Sequence, residues 1–290
     1  MLTFEDINLS HQGKYLEFLR RSGTRSSDYS FINLWGWASE DGISLAWDDD
    51  LVWIRQSTPS PCLWAPIGPW EINWQAIFNR METSELIFTR IPEELLKLWD
   101  SALPGRVHAE DSRDHWDYLY SVPELVELKG NRFHKKKNLL NQFKKKHPYR
   151  YQRIEPELIP RVLAMQEVWC AWRDCESMEV LASENRVIRR VLNAWEQLIG
   201  IRGSALFIDE RLVAFTVAEG LFDQTLLVHF EKGLTGYIGV YQAINQMFLE
   251  DTEGFTLVNR EQDLGDEGLR AAKLSYNPVG YIKKYDVKIS

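Results

Sequence analysis

Residues Lys129–Tyr151 read KGNRFHKKKNLLNQFKKKHPYRY. Eight Lys/Arg fall between Lys129 and Lys146, with no acid among them. The 290-residue chain carries −8, so everything outside those eight residues stands at −16 (−8 minus +8). A basic helix therefore sits near the midpoint of an acidic chain, and the segments on either side of it read as two α/β units. At about 100° per residue, Phe133, Leu139, Leu140 and Phe143 share one arc and form the buried stripe. Lys135, Lys137, Lys144, Lys145 and Lys146 lie off it. Arg132 and Lys136 fall on the apolar side, between Leu139 and Leu140. Either their stems pack while their heads reach water, or they point into a cleft and meet a phosphate or carboxylate. Taken alone, the outward lysines read as a solvated face. Their density points to nucleic acid or an anionic lipid surface as a partner. Pro148 then stops the helix.

The length fits one or two domains. With 44% hydrophobic and 26% charged residues, the composition is that of a soluble globular protein able to build a sizeable core. No run of about 18 apolar residues exists to span a membrane. The N-terminus, MLTFEDINLS, has no basic n-region or apolar h-region of a signal peptide. Only Cys62, Cys170 and Cys175 occur, which fits a reducing cytoplasm and no disulfide framework. No Cys/His cluster has zinc-ligand spacing, so no metal is expected. Nine of the twelve tryptophans precede the basic helix, which predicts an aromatic-heavy core in the first half, with an aromatic-lined cleft as the alternative.

The first half reads as a strand over Met1–Ile7, then a helix capped by Ser10 with stripe Tyr15, Phe18 and Leu19. A second helix is expected over Asp28–Trp37. The strands Ile43–Trp47 and Leu51–Arg55 form a hairpin across Asp48–Asp50, and Leu63–Ile67 is a third strand. The helix Trp74–Met81, strand Leu86–Arg90, helix Pro92–Leu103 and closing strand Trp116–Tyr120 complete the unit. The second half repeats this order. It has a strand over Tyr149–Ile154 and a helix Glu157–Arg173 with stripe Leu158, Val162, Met165, Val168, Trp169 and Trp172. A helix Asn185–Ile199 precedes three strands, Ala205–Ile208, Val213–Gly220 and Thr225–Phe230. A helix Ile238–Leu249, strand Phe255–Asn259, helix Glu267–Leu274 and last strand Tyr281–Ile289 follow. The expected fold class is therefore α/β (α+β): two tandem GNAT-like acyltransferase domains, each a mixed sheet flanked by helices. The boundaries are residues 1–128 for the first domain, 129–148 for the basic connecting helix and 149–290 for the second. No GxGxxG follows a strand and no GxxxxGK[ST] occurs, which disfavours dinucleotide and P-loop chemistry.

Two stretches of the second half carry candidate chemistry. In HFEKGLTGYIGVY, His229–Tyr241, a strand ends in a carboxylate and a Gly-rich loop opens a helix, whose start offers N–H groups to a phosphate. Acetyl-CoA enzymes carry roughly R/Q-x-x-G-x-G/A here. Gly239 aligns, but Gly236 stands at the Arg/Gln position and Tyr241 at the Gly/Ala position. Gly236, Tyr237 and Gly239 are the candidate phosphate loop. Glu231 is the candidate general base, its alternative being a surface turn with Lys232. In the second stretch, Asn259–Pro278, a polar strand end leads into a helix. Arg270 and Lys273 lie three residues apart on one face, fitted to hold a phosphate or carboxylate, and Tyr276 can donate a proton to a leaving group. The acids at the start of that helix also suit its dipole. No Ser-His-Asp or Cys-His arrangement stands out among the six histidines.

Leu128–Asn138 (LKGNRFHKKKN), Glu231-Lys232 with Gly239-Val240-Tyr241, and GLRAAK (Gly268–Lys273) with Pro278 and Tyr285 resemble the soluble proteins related to the C-terminal domain of phosphatidylglycerol lysyltransferase. The resemblance covers nearly the whole chain, and GLRxxK is its most specific element. It implies two tandem GNAT-like domains and kinship with Fem-type transferases, which move an amino acid from aminoacyl-tRNA onto an amine; the lysyltransferases move it onto a lipid hydroxyl. Arg270 and Lys273 inherit the substrate-binding role, joined by Arg132, Lys136, Lys137 and Asn259, with Glu231 and Tyr276 as catalytic candidates. Lys137 stands where Arg is expected, and these residues are not expected to include the membrane-spanning domain of the lysyltransferases. The expected function is a cytoplasmic acyl- or aminoacyl-transferase. Aminoacyl-tRNA or acyl-CoA would be its donor, with tRNA held through the basic helix. A small molecule, peptide or lipid headgroup would be the acceptor. An acetyl-CoA-dependent N-acetyltransferase and a non-catalytic binder on the same fold are the alternatives.

Overall fold

The computed structural model describes residues 2–81 and 85–290. Met1, where the first strand was expected to begin, lies outside them. The first elements are β1 (Glu5–Asp6), α1 (Gln12–Ser22), α2 (Phe31–Asp41), β2 (Ser44–Trp47), β3 (Val52–Gln56), β4 (Cys62–Leu63), α3 (Trp74–Arg80), β5 (Leu86–Pro92), α4 (Glu93–Ala102) and β6 (Val107–Asp111). Then come β7 (Asp117–Ser121), α5 (Val122–Glu127), the basic helix α6 (His134–Lys146), β8 (Tyr149–Arg153), α7 (Ile159–Arg173), α8 (Glu179–Asn193), β9 (Ile201–Ile208), β10 (Arg211–Gly220) and β11 (Thr225–Gly233). The chain closes with α9 (Val240–Asp251), β12 (Leu257–Asn259), α10 (Glu267–Leu274), β13 (Gly280–Ile282) and β14 (Lys284–Ile289). One mixed sheet has the order β1-β2-β3-β4-β5-β14-β6, the other β13-β7-β12-β11-β10-β9-β8. Each has an antiparallel meander followed by a parallel pair, β4 with β5 and β11 with β12. This is the expected α/β class of two mixed sheets flanked by helices.

The closing strands depart from expectation. The strand read as closing the first half, β7, pairs with β12 of the second sheet. The C-terminal β14 lies between β5 and β6 of the first. The expected last strand, Tyr281–Ile289, is thus two strands, broken at Lys283 and assigned to different sheets. The compact units are accordingly not contiguous: one comprises Met1–Tyr118, Gln262–Arg270 and Tyr281–Ser290, the other Leu119–Glu261 and Ala271–Gly280.

Local chemistry sets the element ends. Ser30 caps α2 by accepting from Asn33 N–H, and Gly42 closes it in the left-handed region at φ 62. At α1 the sequence expectation shifts: Asn8, not Ser10, accepts backbone N–H in the turn that leads into the helix. The β2–β3 hairpin forms as expected, with Trp47 opposite Val52. Other differences include the short β1 and β4, the unanticipated β6 and α5, a β9 that starts at Ile201, and the helix read over Asn185–Ile199, which is α8 at Glu179–Asn193. The first unit's core is aromatic. Trp74, Phe78 and Phe88 surround Trp99 with centroid separations of 5.6, 5.3 and 4.8 Å, in edge-to-face and tilted contacts.

In the second unit Phe133, Leu140 and Phe143 bury the stripe of α6 as read, and Leu139 is half-buried. Gly239, at the start of α9, is required there: it sits at φ 87, and an added Cβ would stand 2.1 Å from the Leu139 carbonyl oxygen. Its absent side chain lets the loop pack directly on the basic helix. Two members of the expected α7 stripe do not go inside: Val168 and Trp172 are 47% and 55% exposed. The expectation of no disulfide is also corrected, since Cys170 and Cys175 are bonded. Asp174 ends α7 in the left-handed region at φ 53, which turns the chain back and brings the two Cα atoms to 5.1 Å. No helix among the described residues is long and apolar enough to cross a membrane.

Candidate active site

In the second sheet the parallel ladder between β11 and β12 ends at Leu227 opposite Asn259, while β11 runs on to Gly233. The carboxyl ends of parallel strands are where open α/β sheets bind ligands, because the diverging backbones leave polar groups around a cleft. Side chains alternate along a strand, so Glu231 and Gly233 share one face of β11; the register shift opposite Val217 and Ala218 falls at His229 and breaks the alternation there.

Glu231 is not in a surface turn with Lys232. Its side chain is 8% exposed and pairs with Arg260, just beyond β12, at 2.9 Å. Asn245 of α9 donates to its other oxygen at 3.2 Å. The Arg260 guanidinium is 15% exposed and stands over the rings of Tyr276 and Tyr120, at 4.9 and 5.9 Å. Gln242 Nε2 donates to the Tyr276 hydroxyl at 3.0 Å. Lys136 brings its Nζ to 4.0 Å from the Tyr276 ring centroid. Burial, then the nearby Arg260 charge, holds the Lys136 ammonium below its ordinary range. Burial likewise pushes the Tyr276 phenol up, so it keeps its proton at neutral pH. One carboxylate, two cations and a phenol thus converge where the strands part.

A second cluster lies one strand turn earlier. His229 is fully buried, with Nε2 3.0 Å from Glu219 and Nδ1 3.2 Å from Glu261. Burial alone would lower its pKa, but the two carboxylates outweigh it and hold the imidazolium up to about 9. The cluster anchors a tight turn: Glu261 sits at φ 57, a left-handed conformation, and its N–H donates to Asn259 Oδ1 at 2.8 Å. A folded pKa above the unfolded value of about 6.5 stabilises the protein fully below that value, and the contribution disappears as pH rises through 9. Chemical denaturation should show roughly 3 kcal/mol of stability lost between pH 6.5 and 9.5. His229→Gln should lack that slope.

The site residues read from the sequence separate into groups. Glu231, Tyr276 and Lys136 meet here. Asn259 is buried at the turn, where it accepts from the Glu261 N–H. Lys273 Nζ donates to the carbonyls of Arg260 and Glu261, and Tyr120 donates to the Lys273 carbonyl at 2.9 Å. Lys273 therefore holds the turn that presents Arg260. Arg270 belongs to the first unit, where its guanidinium bonds Asp263 at 2.7 Å and Asp114 at 2.6 Å. Arg270 and Lys273, read from the sequence as one anion grip, each bond internal acceptors within their own unit. Arg132 pairs with Glu124 at the surface, and Lys137 is exposed.

Gly236, Tyr237 and Gly239 line a depression of about 210 Å³ together with Trp172 and Tyr241, among others. None of the described residues lining it is charged. Gly239 is explained by packing on α6, and the expected phosphate loop lacks a cation. Sequence reading missed Arg260, His229, Glu219 and Glu261. Arg260 had one usable signal, its place directly after the strand end at Asn259.

Residues 19–288 match the family described as phosphatidylglycerol lysyltransferase, C-terminal. The chain belongs to this family. The resemblance carried by GLRAAK is thereby borne out. The chain is similar to a conserved protein of unknown function from Bacteroides thetaiotaomicron, whose crystal structure is 30% identical, with TM-score 0.92 and full coverage of both chains. The structure of L-PGS from Bacillus licheniformis has the same fold, with TM-score 0.64 at 13% identity over 96% of this chain and 91% of that one. An uncharacterized protein of Mycoplasmoides gallisepticum is 26% identical over 179 residues, 60% of this chain, and the match spans 56% of that protein's length.

Proposed function

We propose that the chain is an aminoacyltransferase that moves an aminoacyl group from aminoacyl-tRNA to an amine or hydroxyl acceptor at the end of β11. The observation that carries this reading is the shielded Glu231–Arg260 pair beside Tyr276 and Lys136, at the point where the parallel ladder ends. Membership of a family described by a lysyltransferase supports it.

The chemistry is acyl transfer without redox change. The acceptor nitrogen or oxygen attacks the ester carbonyl carbon, forming the new bond. The oxyanion that develops lies near Arg260 and Lys136, whose charges act strongly in a site shielded from water. Glu231, with both oxygens held but lone pairs remaining, takes the acceptor proton. Collapse of the intermediate breaks the bond to the ribose oxygen, and the protonated Tyr276 phenol supplies the leaving alkoxide with its proton. Proton return from Glu231 to Tyr276 resets the site.

The outward lysines of α6 suit the donor's phosphates. The small uncharged depression at Gly236–Gly239 gives a diphosphate no cation to meet, which weighs against acetyl-CoA as donor. A lipid headgroup hydroxyl, a peptide amine and a small amine are equivalent acceptors for this chemistry. The test supplies the wild-type protein with labelled mixed aminoacyl-tRNA and three acceptors: phosphatidylglycerol vesicles, an amine-bearing peptide and a free amine. Label moving to one of them is expected. Label remaining on tRNA while acetyl-CoA acetylates an acceptor would overturn the reading.

A further inference from the structure

The depression beside the site has no role in the transfer chemistry, yet its walls are distinctive. Trp172 and Ile238 are 55% and 53% exposed, and Tyr241 is 37% exposed. Exposed apolar side chains gathered in one concavity mark a binding surface. The Tyr241 ring is fixed: its hydroxyl donates to the Gly233 carbonyl at 3.2 Å and accepts from Trp169 Nε1 at 3.3 Å. Gly233 makes room for that ring, since an added Cβ would stand 2.8 Å from Val240 and 3.3 Å from Tyr241. At about 210 Å³ the space is smaller than the roughly 300–1,000 Å³ of sites that enclose a drug-sized ligand. It suits one planar ring system rather than an extended cofactor.

We propose that this depression seats the terminal nucleobase of the aminoacyl donor, stacked on Trp172 and Tyr241, so that the ester on its ribose lies at Glu231. The inference rests on the aminoacyl-transfer reading and names the donor subsite. Three observations support it. Glu231 and Gly233 are two residues apart on one strand face, about 7 Å, which is the scale of the span from a base to the ester on its own sugar. Base–aromatic stacking needs no charge, and none of the described residues lining the depression is charged. The loop also rests on α6, through Gly239 against the Leu139 carbonyl and the Tyr237 ring 5.5 Å from His147. The preceding phosphates of the donor strand would therefore meet Lys144, Lys145 and Lys146, all exposed.

The test measures binding of 3′-(lysylamino)-3′-deoxyadenosine, a stable amide in place of the labile ester, to the full chain by ligand-observed NMR. An analogue lacking the base serves as the control. Wild type should bind the nucleoside and not the baseless analogue. Trp172→Ala should weaken binding roughly 10- to 100-fold, and Trp172→Phe, which keeps a stacking face, should restore most of it. With aminoacyl-tRNA as donor, Trp172→Ala should raise KM and leave kcat unchanged. Equal binding of both analogues, no binding of either, or a Trp172→Ala variant indistinguishable from wild type would overturn the seat. Failure of wild type to transfer from any aminoacyl-tRNA would instead overturn the reaction assignment, whatever the nucleoside result.

Discussion

Arg260→Leu is expected to reduce aminoacyl transfer by about 100-fold or more and to cost the fold about 3–5 kcal/mol. Both effects come from one contact. Arg260 is the cation nearest the Glu231 carboxylate, and the pair is shielded at 15% and 8% side-chain exposure. Leucine fills the space but leaves a buried carboxylate uncompensated, which is the expensive way to break such a pair. The activity loss follows separately, because the other cation over Tyr276, Lys136, is a point charge without a planar fork. The combination Glu231→Gln with Arg260→Met should separate the two effects. It removes both charges, so denaturant stability should return toward wild type while transfer stays lost. Arg260→Lys should keep the fold and lose most of the rate. Transfer by Arg260→Leu at near wild-type rate would remove Arg260 from the chemistry.

The second large effect lies in the first unit. Lys284 of β14 is fully buried between Asp28 and Asp117, contacting Asp117 at 2.7 Å and Asp28 directly. Arg90 and Gln262 complete the shell of Asp28, at 3.0 and 2.8 Å, while Ser27 donates twice to Asp117 at 2.8 Å. Burial favours the neutral acid, but Lys284 and Arg90 hold the Asp28 carboxyl down to about 2. At Asp117 burial outweighs the pull of Lys284 and pushes the carboxyl up. Lys284→Met should therefore cost about 3–5 kcal/mol, lowering the melting temperature by roughly 10 °C. Adding Asp117→Asn should recover much of the loss, since the remaining Asp28 charge is then balanced by Arg90. A Lys284→Met protein that melts with wild type would show that the network contributes no stability.

These residues also show what a sequence can disclose. The stripe Phe133, Leu140 and Phe143 was legible because a helix's burial pattern is written in its own spacing, and α10 followed its expected bounds, Glu267–Leu274. Glu231, Lys136 and Tyr276 were legible as types with the right chemistry. Arg260 and His229 were not, because their meaning comes from partners 29, 10 and 32 residues away. The exchange of β7 and β14 between sheets was also hidden: alternation identifies a strand but not its neighbour. Lys284 reads as an ordinary strand lysine until Asp28 and Asp117 are seen around it. Trp172 continued the apolar period of α7, yet the packing leaves that end of the helix uncovered, which is why it is available to a ligand.

The measurement that bears most directly on the proposed activity is transfer of label from mixed aminoacyl-tRNA to the three acceptor classes at 50 and 200 mM salt. If the five outward lysines of α6 hold donor phosphates, the apparent affinity for tRNA should fall roughly 100- to 500-fold across that range while label still reaches one acceptor at saturation. Label that stays on tRNA at both salt concentrations, with every acceptor and at saturating protein, would contradict aminoacyl transfer at Glu231 and Arg260.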